Sequence, residues 1–157
     1  MDIGVSMAEF NTRKKELVAG FFIEGYVHHN YDFLLENISE HYYDHSPAAA
    51  RSNQGCVDIL KIVANSYSNM KVDIFDMIEE GDRVAVRVRF TATHSGEIMG
   101  IAPTGKKISF EALEIFRIEN DRISESWGYW PDLHIKELLT GTDTEGLLIF
   151  QSLIHTP

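Results

Sequence analysis

A glutamate stands among apolar residues in the segment ISFEALEIFRI. Strand alternation there places Ile108, Phe110, Ala112, Glu114, Phe116 and Ile118 on one face. A carboxylate on such a face loses its water, so its pKa rises unless a cation or donor lies close by. A carboxyl group poised near neutrality is what general acid–base chemistry needs. Two alternatives stay open for Glu114: a bulge that turns it into solvent, or a structural pairing with arginine. His94 ends the apolar face of the preceding strand. An imidazole there either serves the rim of a cavity, as proton shuttle or donor to a ligand carbonyl, or sits on a solvent-exposed turn. The stretch ISESWGYWPD adds Trp127, Tyr129 and Trp130, rings suited to a flat or hydrophobic ligand or to closing the core. Asp132 follows Pro131 directly, as a helix N-cap, a catalytic carboxylate, or both in turn.

Other chemistries are poorly served. GIAPTGKK, Gly100 to Lys107, matches the P-loop pattern at seven of eight positions, but Lys107 replaces the hydroxyl that would hold Mg²⁺. No apolar strand precedes it and no helix follows, so it reads as a connector between strands. His28, His29, His41 and His45 lack HExxH spacing, and no metal is expected. No G-x-S-x-G nucleophile signature is present. Cys56 is the sole cysteine, read as a buried inert thiol.

The elements that must position these residues change period near residue 70. Before it, Leu17, Phe21, Phe22 and Tyr26 recur at helical spacing, and so do Val57, Leu60, Ala64 and Tyr67. A short helix capped by Asn30 and carrying Phe33, Leu34 and Ile38 lies between them, ended by HYYDHSP. From Met70 the spacing shortens to two. Val72, Ile74 and Met77 open the strand region, and the turn EEGD follows. A second strand then sets Val84, Val86, Val88, Phe90 and Ala92 against Arg83, Arg87, Arg89, Thr91 and Thr93 on its two faces. A third strand covers Ile108 to Ile118, and the turn ENDR leads to a fourth from Ile123 to about Trp130. A helix over Asp132 to Leu139 comes next, then LLIFQSLI, whose period fits helix or strand. This order predicts an α+β fold in which N-terminal helices pack on a curved, cone-shaped antiparallel sheet, with a cavity between them suited to an apolar ligand.

With 157 residues, 44% hydrophobic and 24% charged, the chain fits one globular domain over 1–157. Its net charge of −10 opposes nucleic acid as a partner. MDIGVSMAEF has no signal-peptide pattern, and there is no run of 18 apolar residues, so a cytoplasmic protein with no membrane partner is expected. Arg87, Arg89, Glu111 and Arg117 on the opposite sheet face suggest a polar interface between copies.

HNYDFLLENISEHYYDHSP and EEGDRVAVRVRFTATHSGEIMGIAPTGKKISFEALEIFRIENDRISESW together resemble the SnoaL-like polyketide cyclase (ester cyclase) family of the nuclear transport factor 2-like fold. The resemblance runs from about Phe21 to Leu139, leaving 140–157 as a C-terminal extension. It implies a cystatin-like α+β barrel, a homodimer or homotetramer, and aldol ring closure of a small hydrophobic polyketide-like molecule without metal or cofactor. The family's key aspartate stands four residues after the tryptophan of E-x-W, a position held here by Pro131. The resemblance therefore implies Asp132, one place on, and His94 as the proton-transfer residues. Tyr26, His45, Glu114, Trp127 and Trp130 would shape or polarise the pocket. Glu114 is the replacement acid if Asp132 is displaced. A binding protein that shelters an apolar ligand unchanged, or an association module, is the alternative on the same fold.

Overall fold

The structure, a computed structural model, describes residues 10–141. LLIFQSLI lies outside the described residues. Helix α1 (Arg13–Gly20) starts at Thr12, whose side chain accepts from the Lys15 N–H, and runs unbroken into a π-helical segment, Phe21–Val27. Helix α2 (Tyr31–Asn37) is capped by Asn30, as its sequence predicts. Strand β1 (Ile38–Asp44) follows without a break, and α3 (Asn53–Ser66) is capped by Ser52. Strands β2 (Tyr67–Glu80), β3 (Arg83–His94), β4 (Lys107–Glu119) and β5 (Arg122–Tyr129) come next, then α4 (Asp132–Thr140), which ends on Gly141 in the left-handed region at φ 70°.

The five strands form one curved sheet in the order β1-β5-β4-β3-β2. The β2–β3, β3–β4 and β4–β5 pairs are antiparallel, but β1 runs parallel to β5. The sheet is therefore mixed, which corrects the expectation of a purely antiparallel one. The cause is β1, which the sequence reading assigned to a helix end and a breaker. Ile38 and Tyr42 are buried four residues apart, a helical spacing. A register shift between Ile38 and Tyr43 spoils the alternation that would have marked a strand. Tyr67 is also corrected: it opens β2 rather than closing the stripe of α3.

Elsewhere the alternation holds. Val84, Val86, Val88, Phe90 and Ala92 of β3 are all buried on one face, and β4 pairs with β3 without a register shift from Arg83↔Arg117 to Thr93↔Lys107. The first helix and its π-helical continuation cover that concave face. Phe22 meets Phe90 and Phe116 with ring centroids 6.0 and 5.8 Å apart. Burial of each such ring contributes about 1.5–3 kcal/mol, so this cluster anchors the helices to the sheet.

GIAPTGKK lies in the β3–β4 connection and leads into a strand, as a connector should. Ile98 and Ile101 exchange backbone hydrogen bonds across Met99 and Gly100, both at positive φ, the backbone of a two-residue hairpin turn. The Ser66 carbonyl accepts from the N–H groups of Ser95 and Gly96. Its hydroxyl donates to the Glu97 carbonyl at 3.0 Å. The connection is thereby pinned to the end of α3.

Candidate functional site

Between the concave face and the helices lies a cavity of about 430 Å³. Phe21 and Tyr26 of the π-helical segment, Cys56, Leu60 and Val63 of α3, Tyr42 and Asp44 of β1, Glu114 of β4 and Gly128 of β5 line it. Trp130, Asp132 and Ile135 line it from the β5–α4 junction, and Ile98 and Met99 reach it from the pinned connection.

Glu114 projects into this space. The unbroken β3–β4 register excludes the bulge alternative, and no salt bridge of Glu114 to arginine is formed among the described residues. Across the ladder Glu114 faces Gly128. A Cβ added at Gly128 would lie 2.6 Å from Glu114 Cδ and 2.8 Å from Oε1, so the glutamate side chain lies over the bare glycine backbone. Burial pushes the Glu114 carboxyl up to about 8, the Asp44 charge adds to the rise, and a hydrogen bond with the Ser126 hydroxyl opposes it. Ser126 Oγ is also 2.6 Å from Tyr42 Oη, so serine links the tyrosine to the glutamate. Burial likewise raises the Tyr26 and Tyr42 hydroxyls and the Cys56 thiol, which keeps all three protonated at neutral pH.

Asp44 is a second acid that the sequence reading missed. It is 8% exposed, and its Oδ1 and Oδ2 accept from the Ser46 N–H and hydroxyl, each at 2.7 Å. The signal was present in DHSP: an aspartate followed by serine and proline is a turn in which the carboxylate accepts from the residue two places on. Gly128, flanked by aromatic residues inside a strand, was the corresponding mark of a close approach. Nothing local pointed to Ser126 or Tyr42, which meet only across the β1–β5 pair.

The other expected site residues divide. Tyr26 and Trp130 line the cavity side by side, with ring centroids 5.8 Å apart. Asp132 lines it too, from an exposed position at the start of α4. It is not the N-cap: Pro131 holds that position and no side chain caps the helix. His94 is at neither a rim nor an exposed turn. It is 0% exposed and is absent from the cavity wall, with its ring 5.9 Å from that of Tyr67, which does line the wall. Its Nδ1 accepts from the Thr104 N–H at 3.1 Å, while Nε2 is buried and has no hydrogen-bond partner among the described residues. His45 and Trp127 lie apart from the cavity. Their rings stack on each other at 4.5 Å, and His45 Nε2 lies 2.8 Å from Glu125 Oε2. They sit on the opposite sheet face because Trp127 falls between Ser126 and Gly128, whose side of the strand is the concave one.

A wider groove of about 670 Å³ passes over that outer side, lined by Tyr43, His45, Arg122 and Glu125 among others. Its Glu125 carboxylate is fixed as an anion: hydrogen bonds from His45 and then Arg117 hold the carboxyl below the usual range. The inner cavity is the candidate site. Among the described residues no group of three or more His, Cys, Asp or Glu is arranged to hold a metal ion. No helix among them is long and apolar enough to cross a membrane.

A family model described as SnoaL-like polyketide cyclase matches residues 16–137. No curated protein matches the chain. Among solved structures, a candidate SnoaL-like polyketide cyclase from Jannaschia sp. CCS1 is similar, with 19% identity, a TM-score of 0.77, and coverage of 85% of this chain and 96% of that one. TsrD from Streptomyces laurentii has 22% identity, a TM-score of 0.77, and coverage of 84% and 98%. IdmH from Streptomyces antibioticus, a candidate polyketide cyclase, has 24% identity, a TM-score of 0.72, and coverage of 82% and 99%.

Proposed function

The chain belongs to the SnoaL-like polyketide cyclase family, and from that premise we propose that it is a cofactor-independent acid–base enzyme closing or isomerising a small hydrophobic carbonyl compound, with Glu114 as its proton-transfer group. The observation that carries this reading is the Glu114 carboxyl, which lines the cavity between sheet and helices and is pushed up to about 8 by burial. A group with that affinity for its proton is populated in both forms near neutrality. As carboxylate, Glu114 takes the α-proton next to a carbonyl. The carbon then bonds to a second carbonyl of the same folded molecule, and the alkoxide that forms takes the proton back from Glu114. The Tyr42–Ser126 pair orients the carboxyl, and the wall of rings holds the substrate folded, a positioning effect as important as the proton transfer.

Asp132 assists from the cavity mouth in this reading, and His94 supports Tyr67 from behind. Pro131 at the family's aspartate position favours a second reading, a protein that binds such a ligand without converting it. One experiment separates the two. Purified protein and its Glu114→Gln variant are assayed against a panel of polycarbonyl compounds, with binding followed by tryptophan fluorescence. Turnover should fall by about 10²–10⁴-fold while binding persists, and wild-type kcat/KM should climb with pH to a plateau above about 8. Unchanged turnover in the variant removes Glu114 from the mechanism. Binding with no turnover in the wild type favours the second reading.

A further inference from the structure

Acid–base chemistry by one glutamate leaves the charge of the cavity wall unexplained. Asp44, Glu114 and Asp132 all face the cavity, and among the described residues no lysine or arginine lines it. Arg51 does not neutralise Asp44. Its Nη1 donates to the backbone carbonyls of Asp44 and Ala50 at 2.6 and 3.0 Å, and its guanidinium lies 3.9 Å from the centre of the Tyr43 ring. Among the described residues the Asp44 carboxylate accepts only from the N–H and hydroxyl of Ser46.

Around the same space stand aromatic rings. Tyr26 neighbours both Trp130 and Phe21, at 5.8 and 5.9 Å, and feels the charges of Glu114 and Asp44. Ring faces attract cations, most strongly where water is excluded. A ligand carboxylate or phosphate here would meet carboxyl groups and no countercharge, and would lose its hydration as well. A neutral ligand would bury the Asp44 charge further without compensating it. A cation satisfies the carboxylates and the rings together, and the chain's net charge of −10 draws one in from solution.

We propose that the cavity selects a small hydrophobic molecule bearing a positive charge, an amine or quaternary ammonium compound, with the cationic end between Tyr26, Trp130 and the carboxyls of Asp44 and Glu114. This rests on the reading of the cavity as the ligand site, but not on turnover. The bound cation also displaces the Glu114 proton. The groups that face Glu114 are Asp44 from β1, Tyr42 from β1, Tyr26 from the π-helical segment, Cys56 from α3 and Ser126 from β5. The tyrosine hydroxyls and the thiol, raised by burial, keep their protons across neutral pH. Cation affinity therefore tracks ionisation of Glu114 and rises as pH rises through about 8.

The test titrates the full-length protein with three probes of similar size, followed by calorimetry and tryptophan fluorescence: phenyltrimethylammonium, its neutral isostere tert-butylbenzene, and phenylacetate. The cation should bind about tenfold more tightly than the isostere, and phenylacetate most weakly. Equal or weaker binding of the cation, or no binding by any probe, overturns the proposal. Glu114→Gln should reduce the cation preference by about threefold or more and flatten its pH dependence. Asp132→Asn, at an exposed position at the start of α4, should reduce the preference without flattening the pH dependence. A cation preference indifferent to both variants also overturns it. Because the probes are inert, the cyclase reading fails or survives separately: Glu114→Gln that still turns over a polycarbonyl sinks that reading and leaves the probe result standing.

Discussion

The two faces of the sheet are built from the same strands and treat their carboxylates in opposite ways. On the concave face no cation pairs with Glu114 among the described residues, and burial raises its carboxyl to about 8. On the convex face every second residue of the same strand turns to solvent, where Glu111 pairs with Arg87 and Arg89 at 3.5 and 3.0 Å. Arg117 there holds Asp82, Glu125 and Glu119 within 2.8–3.0 Å. Hydrogen bonds to Arg117 for Asp82, and to His45 then Arg117 for Glu125, push those two carboxyls below their ordinary range. A one-residue step along a strand thus decides between a group primed to exchange protons and one fixed as an anion. Apolar residues follow the same rule: Phe116 is 0% exposed, whereas Leu113 is 66% exposed.

The contrast can be broken from the core outward. Phe116→Ala removes a ring packed on Phe21 and Phe22, with centroids 5.0 and 5.8 Å away. Urea denaturation should show a loss of about 3–5 kcal/mol, against about 0.5 kcal/mol or less for Leu113→Ala. Comparable losses would mean that the convex face is covered in solution.

A second test uses pH. Folded Glu114 keeps its proton up to about 8, while in the unfolded chain it ionises near 4.5. Its contribution to stability is therefore complete below the unfolded value and is lost as pH rises through the folded one. Relative to wild type, Glu114→Gln should gain roughly 2–4 kcal/mol between acid and mildly alkaline pH, read from denaturation midpoints along a pH series. Asp82 and Glu125 have lowered values, so their contribution is present above the ordinary carboxyl range and fades as pH falls. Asp82→Asn with Glu125→Gln should blunt the acid limb alone. Parallel pH profiles for the two sets would refute the contrast.

Gly128→Ala sharpens it further, since the new methyl group would displace the Glu114 side chain. A cost of about 1–3 kcal/mol is expected, with partial recovery in the double variant that also carries Glu114→Ala. No recovery would locate the strain elsewhere. The smallest effect belongs to Arg87→Ala, which breaks exposed pairs with Asp76 and Glu111. Its denaturation midpoint should move less than that of any concave-face variant, and less again in high salt.

Much of the fold was legible because alternation over β3 and β4 is uninterrupted, and because Asn30 and the turn ENDR are local signals. Glu114 could be found by parity for the same reason. Strand β1 escaped because a register shift left its buried residues at helical spacing, and Asp44 and Tyr42 escaped with it. His45 and Trp127, which the family resemblance implied for the pocket, stack on each other on the outer side of the sheet, because adjacent residues of a strand face opposite ways.

Residue order by itself determined the elements, the face on which Glu114 stands and the excess of acid over base, since these depend on period and composition. Only tertiary structure decided that Asp44, Ser126, Gly128 and Glu114 share one cavity and that His94 is walled off from it. Those relations arise where β1 is laid parallel to β5 and helices close over the sheet, contacts between distant segments whose desolvation no local pattern encodes.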